Sequence, residues 1–477
     1  MSDSTALVWF KRDLRLHDHA PLALAQAVPR SLALYIIDAA WLRSAECHPR
    51  HVAHTLQCLA ALRHTLAQRG LPLRVQVGEA MQVLADVRSE FAFTYLLSHE
   101  ETGTGWSCAR DIAVADWCRH QGVQWTELPQ TGVVRRLRSR SGWAARWARR
   151  MDTPQAMVLG DFTAPAGCAV SEQPALPTLA DLGIHAGDVH LPPAGEQAAW
   201  QVLDSFLAGR GRDYRRGMSS PITAADSCSR LSEHLAFGSI SMRAVHQAPV
   251  AAQQSPAPGM AQALHSFSGR LRWHCHFMQK QQDEPATEHR NFARSHDGLR
   301  AGDGVNDEPV DRVWLQAWSE GCTGYPMVDA CMRQLCATGW LNFRMRALRV
   351  SFAAYHPWLH RRQAGLHLAS QFLDFEPGIH WSQMQMQSGT TGINTLRIYS
   401  PAKQALDHDP EGDCVRRWVP KFGTPAYPAP IVDARAALSF AKERLYGSRK
   451  SGLPSTARKP VRRATSPPGN GGQGQLF

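Results

Sequence analysis

The sequence predicts an α/β N-terminal domain built on a five-stranded, parallel, doubly wound sheet, followed by an all-α domain. Three observations carry this expectation. Five short runs rich in apolar and β-branched residues lie between residues 5 and 129, separated by stretches with helical periodicity. Regular alternation of strand and helix needs crossover connections, which produce a parallel sheet covered by helices. From residue 197 to residue 446 helical periodicity dominates, and this stretch holds eight of the fifteen tryptophans.

The strand runs are, in order, ALVWF (6–10), SLALYIID (31–38), LRVQV (73–77), FTYLLSH (93–99) and VQWTELP (123–129). Among the helices between them, residues 51–70 carry the clearest pattern. Val52, Leu56, Leu59, Leu62 and Leu66 share one face, and Gly70 is placed to cap the C-terminus. A dinucleotide-binding sheet would follow its first strand with a glycine-rich turn that lets backbone approach a pyrophosphate. Here Lys11-Arg12-Asp13-Leu14-Arg15 follows instead, with no glycine, so the usual nucleotide turn is excluded.

Composition divides the chain into residues 1–132 as the α/β domain, 133–196 as a Pro-, Gly-, Ala- and Arg-rich connector, and 197–446 as the helical domain. Residues 447–477 have almost nothing to bury and are expected to form a disordered basic tail. The net charge of +11 favours an anionic partner, yet Arg449, Lys450, Arg458, Lys459, Arg462 and Arg463 in the tail account for six of the charges. Seven arginines between Arg135 and Arg150, interleaved with Trp143 and Trp147, read equally as a solvated linker face or a nucleic-acid contact. Eleven scattered cysteines, with no Cys-x-x-Cys pair, point to reduced core thiols rather than disulfides or a metal site. No run of 18 apolar residues and no secretory leader pattern is present, so a cytoplasmic, membrane-free monomer is expected.

The segment Phe10-Lys11-Arg12-Asp13-Leu14-Arg15-Leu16-His17-Asp18 resembles the opening signature of the photolyase and cryptochrome family. Four further blocks follow in the family's order: Ser229-Arg230-Leu231-Ser232, Thr323 to Ala330, Ala337-Thr338-Gly339-Trp340, and Asp407 to Gly412. The resemblance implies FAD in the helical domain and light-driven repair of pyrimidine photoproducts in DNA, with a signalling cryptochrome as the alternative. It also leaves a place for a second, antenna chromophore of unassigned identity.

Residue by residue, the resemblance implies that Tyr214, Cys228, Ser229, Arg230, Leu231 and Ser232 wrap the FAD pyrophosphate. Hydroxyls, backbone N–H groups and an arginine suit a diphosphate. It pairs Arg346 with Asp374 beside the flavin ring, a fixed cation that stabilises added electron density. Trp273, Glu376 and His380 are implied as further cofactor contacts, and Arg344, Arg397 and Lys403 as contacts to DNA phosphates around a flipped lesion. An electron relay through Trp381, Trp358 and Trp318 is expected.

Several positions depart from the family. Dimer-specific photolyases carry a glutamate where Arg270 stands, and a guanidinium cannot play the same hydrogen-bonding part. Animal (6–4) enzymes have a histidine after Gly-Trp, whereas Gly339-Trp340 continues as Leu341-Asn342-Phe343-Arg344. His380 falls at the asparagine that faces flavin N5, and Met384 where the first relay tryptophan belongs.

Overall fold

The computed structural model describes residues 4–450 apart from 186, 188, 189, 255, 307 and 394–396 and the side chains of 446–450. The sheet consists of β1 (Thr5–Phe10), β2 (Arg30–Asp38), β3 (Leu73–Gly78), β4 (Tyr95–His99) and β5 (Gln124–Leu128). All neighbours are parallel, in the order β3-β2-β1-β4-β5. Because successive side chains point to opposite faces, β1 feeds two cores. Ala6, Val8 and Phe10 pack with Leu22, Cys58 and Leu62 on one face, and Leu7 and Trp9 pack with Leu84 and Val114 on the other. The sheet is therefore doubly wound, as its fully buried central strand β1 requires.

Helix Pro49–Ala67 realises the predicted 51–70 segment. Its end is a Schellman motif: Leu71 N–H donates to the Leu66 carbonyl and Gly70 N–H to that of Ala67, with Gly70 at φ +70°.

Helix Trp143–Met151 lies within the connector and buries Trp143, Trp147 and Met151 in the first helical core. Three of the seven arginines are used internally. Arg135 pairs with Glu127, Arg140 with Asp283, and Arg150 donates to the Pro129 carbonyl. Arg136, Arg138, Arg146 and Arg149 face solvent. Beyond residue 196 the two largest apolar cores form around Phe206, Tyr214, Phe267 and Leu271, and around Trp318, Met345, Phe372 and Trp381, with smaller clusters beside them. The last helix spans Ala434–Lys450, so helix continues past residue 447, where the tail was expected to begin. Residues 451–477 lie outside the described residues.

The charged loop after β1 has a structural purpose: it joins the two halves. Arg12 donates to the carbonyls of Ala236 and Phe375, Arg15 to that of Gly238, and Leu14 N–H to that of Phe237. Gly238 makes this approach possible. A Cβ there would stand 2.1 Å from the Arg12 carbonyl oxygen, and φ is +69°. Asp13 anchors the loop from behind, accepting from His19 Nε2 at 3.0 Å and His99 Nδ1 at 2.8 Å. Burial disfavours its charge, but these hydrogen bonds outweigh that and hold its pKa well below the usual range. Burial pushes His99 down to about 3 and lowers His19 as well, so two neutral imidazoles surround one carboxylate.

Candidate functional site

Between the two helical cores lies a cleft of about 1660 Å³. Helix Ala261–Asp283 lines it with Arg270, Trp273, His274 and Phe277, spaced i, i+3, i+4 and i+7 on one face. Helix Pro377–Gln387 lines it with His380, Gln383, Met384 and Gln387 by the same spacing logic. The two helices touch at Gly378, where a Cβ would come within 2.6 Å of the Met278 Cα.

At one end stand Tyr214 and the segment Cys228 to Ser232. Arg210 braces this segment from outside the cleft, donating to the backbone carbonyls of Cys228 and Ser229. Arg230 adopts φ +61°, an αL conformation that a non-glycine residue holds only when its surroundings fix it. Its guanidinium lies 4.0 Å over the ring of Trp340, a cation–π contact, and 3.7 Å from Glu233. Burial pushes the Tyr214 hydroxyl up to about 12 and the Cys228 thiol up to about 11, so both stay protonated donors.

Further along, Arg346 meets Asp374 in a bidentate pair at 3.0 and 2.7 Å while its guanidinium covers the Phe372 ring. Burial works against the Asp374 carboxylate, but Arg346 outweighs it and lowers its pKa. The pair is a fixed cation whose counter-charge sits behind it. Glu376 accepts from His274 Nε2 at 2.6 Å. Burial would discharge His274, yet Glu376 prevails and pushes its pKa up to about 10. His380 shows the opposite behaviour: burial pushes it down to about 3. Its Nε2 lies 2.9 Å from the Gly365 carbonyl, which can only accept. The neutral ring therefore carries its proton on Nε2 and leaves Nδ1 as an acceptor.

All eleven residues expected to bind cofactor thus line one cleft: Tyr214, Cys228, Ser229, Arg230, Leu231, Ser232, Trp273, Arg346, Asp374, Glu376 and His380. Met384 lines it too. The relay tryptophans are less united. Trp381 is fully buried, with His380 edge-on to its ring at 4.8 Å and Arg362 over its face at 4.4 Å. Trp318 is fully buried beside His367, and Trp358 packs against Phe440 in a separate groove. Among the described residues no ring pairing joins the three.

Of the expected DNA contacts, Arg344 flanks the cleft residue Phe343 and reaches over Tyr399. Arg397 is exposed, and its carbonyl accepts from Ser351. Lys403 pairs with Asp407 at 3.1 Å. Sequence reasoning missed Arg210, Trp340 as the seat of Arg230, and the His274–Glu376 pair. The i+3 and i+4 spacing of Trp273 and His274 from Arg270 was the available signal for the last of these.

The walls fit FAD. Arg230 Nε, Asn342 Oδ1 and Gln387 Oε1 are buried on the cleft wall without a protein partner, and buried polar groups are rarely left so. Such groups await a polar ligand spanning the cleft from phosphate end to ring end.

The chain was also compared with known proteins. A family profile described as DNA photolyase matches residues 6–143, and one described as FAD binding domain of DNA photolyase matches residues 267–426. A deoxyribodipyrimidine photo-lyase of Streptomyces griseus is 30% identical over 432 residues, covering 88% of this chain and 90% of the relative. The chain belongs to the DNA photolyase and cryptochrome family. A cryptochrome DASH of Gloeobacter violaceus is 26% identical over 463 residues, covering 88% of this chain and 87% of the relative. Among solved structures, an archaeal photolyase from Sulfolobus tokodaii with two FAD molecules superposes with a TM-score of 0.76. That match covers 93% of this chain and all of the other at 23% identity, a likeness of fold. The helical half is accordingly the FAD-binding domain of this family. No helix among the described residues is long and apolar enough to cross a membrane.

Proposed function

We propose that the protein is a DNA photolyase that repairs pyrimidine photoproducts by light-driven electron transfer. The observation that carries this reading is the single cleft, in which a phosphate-binding end, a fixed Arg346–Asp374 pair and a rim bearing Arg344 lie together. FAD bound there supplies the excited-state electron that no side chain can provide. Tyr214 and the Cys228 to Ser232 segment hold the phosphate end. Arg346 places a positive charge toward the ring end without itself moving, since both carboxylate oxygens of Asp374 fix it. His380 Nδ1 offers a bare lone pair to an N–H donor on the ligand. Phe277, Phe372 and Phe375 exclude water from that end. Arg344, Arg397 and Lys403 contribute positive charge for DNA phosphates.

A second chromophore has a place to bind. The sheet lacks the glycine turn, yet a crevice of about 890 Å³ lies at the carboxyl ends of β1, β2 and β4, where such sheets bind ligands. Its walls include Trp41, Trp106, Arg110 and Phe375, which reach both halves of the protein. We assign an antenna chromophore to this crevice.

The rival reading, a cryptochrome without repair activity, draws support from Arg270 standing where dimer-specific enzymes carry glutamate. Illuminating the reduced protein with oligonucleotides that each bear one defined photoproduct separates the two. Loss of the lesion signal on at least one substrate is expected. No repair of any lesion would leave the photoreceptor reading, and protein purified without yellow flavin absorbance would overturn both.

A further inference from the structure

The cleft holds four cationic side chains, and three of them face a carboxylate. Arg346 pairs with Asp374, His274 with Glu376, and Arg230 lies 3.7 Å from Glu233. Arg270 is different. Among the described residues its side chain has no acidic partner; its polar contacts are the Met218 sulfur at 3.8 Å and the Tyr214 hydroxyl. Its guanidinium also lies 5.5 Å from the centre of the Phe343 ring. A guanidinium presents five donors and no acceptor, and an anionic ligand suits those that the Met218 sulfur and the Tyr214 hydroxyl leave open. The wall is thus left with one positive charge in excess.

Position narrows the ligand. Arg270 reaches the Tyr214 hydroxyl, so its charge sits at the end of the cleft that carries Tyr214 and Cys228 to Ser232. There a planar fork suits two oxygens of one tetrahedral anion. We propose that Arg270 is a phosphoryl-binding residue of the cleft, completing with Arg230 a two-arginine clamp. It rests on the FAD and DNA reading above, because two phosphoryl sources reach this end: the diphosphate of FAD and the backbone of a flipped strand.

The test compares wild type, Arg270→Lys and Arg270→Ala, each checked for fold by circular dichroism. One arm follows FAD release from the holoprotein by flavin fluorescence at increasing dilution. The other follows binding of a lesion-bearing oligonucleotide by anisotropy at several salt concentrations. Loss of a charge-assisted contact to the FAD diphosphate should weaken FAD retention about 10- to 100-fold in Arg270→Ala, with partial rescue by lysine. If the DNA backbone is the ligand, FAD stays bound and the slope of log affinity against log salt falls by about one. Either outcome supports a phosphoryl site and names its source. FAD retention, DNA affinity and salt slope all within twofold of wild type would overturn it. So would equal loss in the alanine and lysine variants, which would mark a packing role. A wild type without flavin would overturn the cofactor reading while the DNA arm still tested Arg270.

Discussion

Replacing His274 should flatten a pH dependence of stability that the His274–Glu376 pair imposes. The two side chains are 14% and 12% exposed and meet at 2.6 Å. Burial by itself would expel the imidazole proton, but the charge and hydrogen bond of Glu376, aided by Cys275, outweigh it and hold the pKa at about 10. The unfolded value is about 6.5. The folded pKa is the higher one, so the stabilisation is complete below pH 6.5 and disappears as pH rises through 10. Between these limits the folded state binds one proton more than the unfolded state, and stability falls by about 1.4 kcal/mol per pH unit. Across the whole interval that amounts to roughly 4–5 kcal/mol as an upper figure. Urea unfolding at pH 7, 8 and 9 of wild type and His274→Gln measures it, since other titrating groups contribute equally to both. A wild-type slope steeper by about 1.4 kcal/mol per unit is expected. Parallel slopes would show that His274 titrates normally and refute the argument.

Other perturbations have equally definite outcomes. Asp374→Asn removes the negative charge and one of the two acceptors that face Arg346, sets an NH2 against its guanidinium, and should destabilise the protein by about 2–4 kcal/mol in chemical denaturation. A change below about 0.5 kcal/mol would mean solvent already satisfies Arg346. Gly238→Ala forces a Cβ against the Arg12 carbonyl in an αL backbone and should lower stability by at least 1–2 kcal/mol, read as a drop in Tm. An unchanged Tm would show that the β1 loop is free to shift. Neutralising Arg344 and Arg397 to glutamine should weaken DNA binding and reduce its salt slope by up to two, measured by anisotropy. Unaltered binding would remove both from the interface.

The five parallel strands, the doubly wound architecture and the cap at Gly70 were legible because each follows from local periodicity or backbone conformation, whereas the β3-β2-β1-β4-β5 order came only with the structure. The placement of Cys228 to Ser232 on the cleft and the Arg346–Asp374 pair followed from the family resemblance. Other features were not. Arg210 braces Cys228 from eighteen residues away, and nothing in its neighbourhood marks it. The charged loop after β1 read as a missing nucleotide turn, yet it is the bond between the two halves.

The sequence by itself determined that an α/β sheet precedes a helical domain, since apolar spacing decides which faces are buried, and the family resemblance implied the flavin there. Tertiary structure alone decided the charge states at the site. His274 lies 102 residues from Glu376 along the chain, whereas His380 lies in the same short stretch as Glu376, so spacing reveals neither charge state. One is held protonated because folding sets Glu376 against it, and the other is held neutral because folding buries it and gives it no carboxylate to offset that burial. Arg270 is the same kind of case. Its meaning comes from the three other cations being matched and this one being left for a ligand.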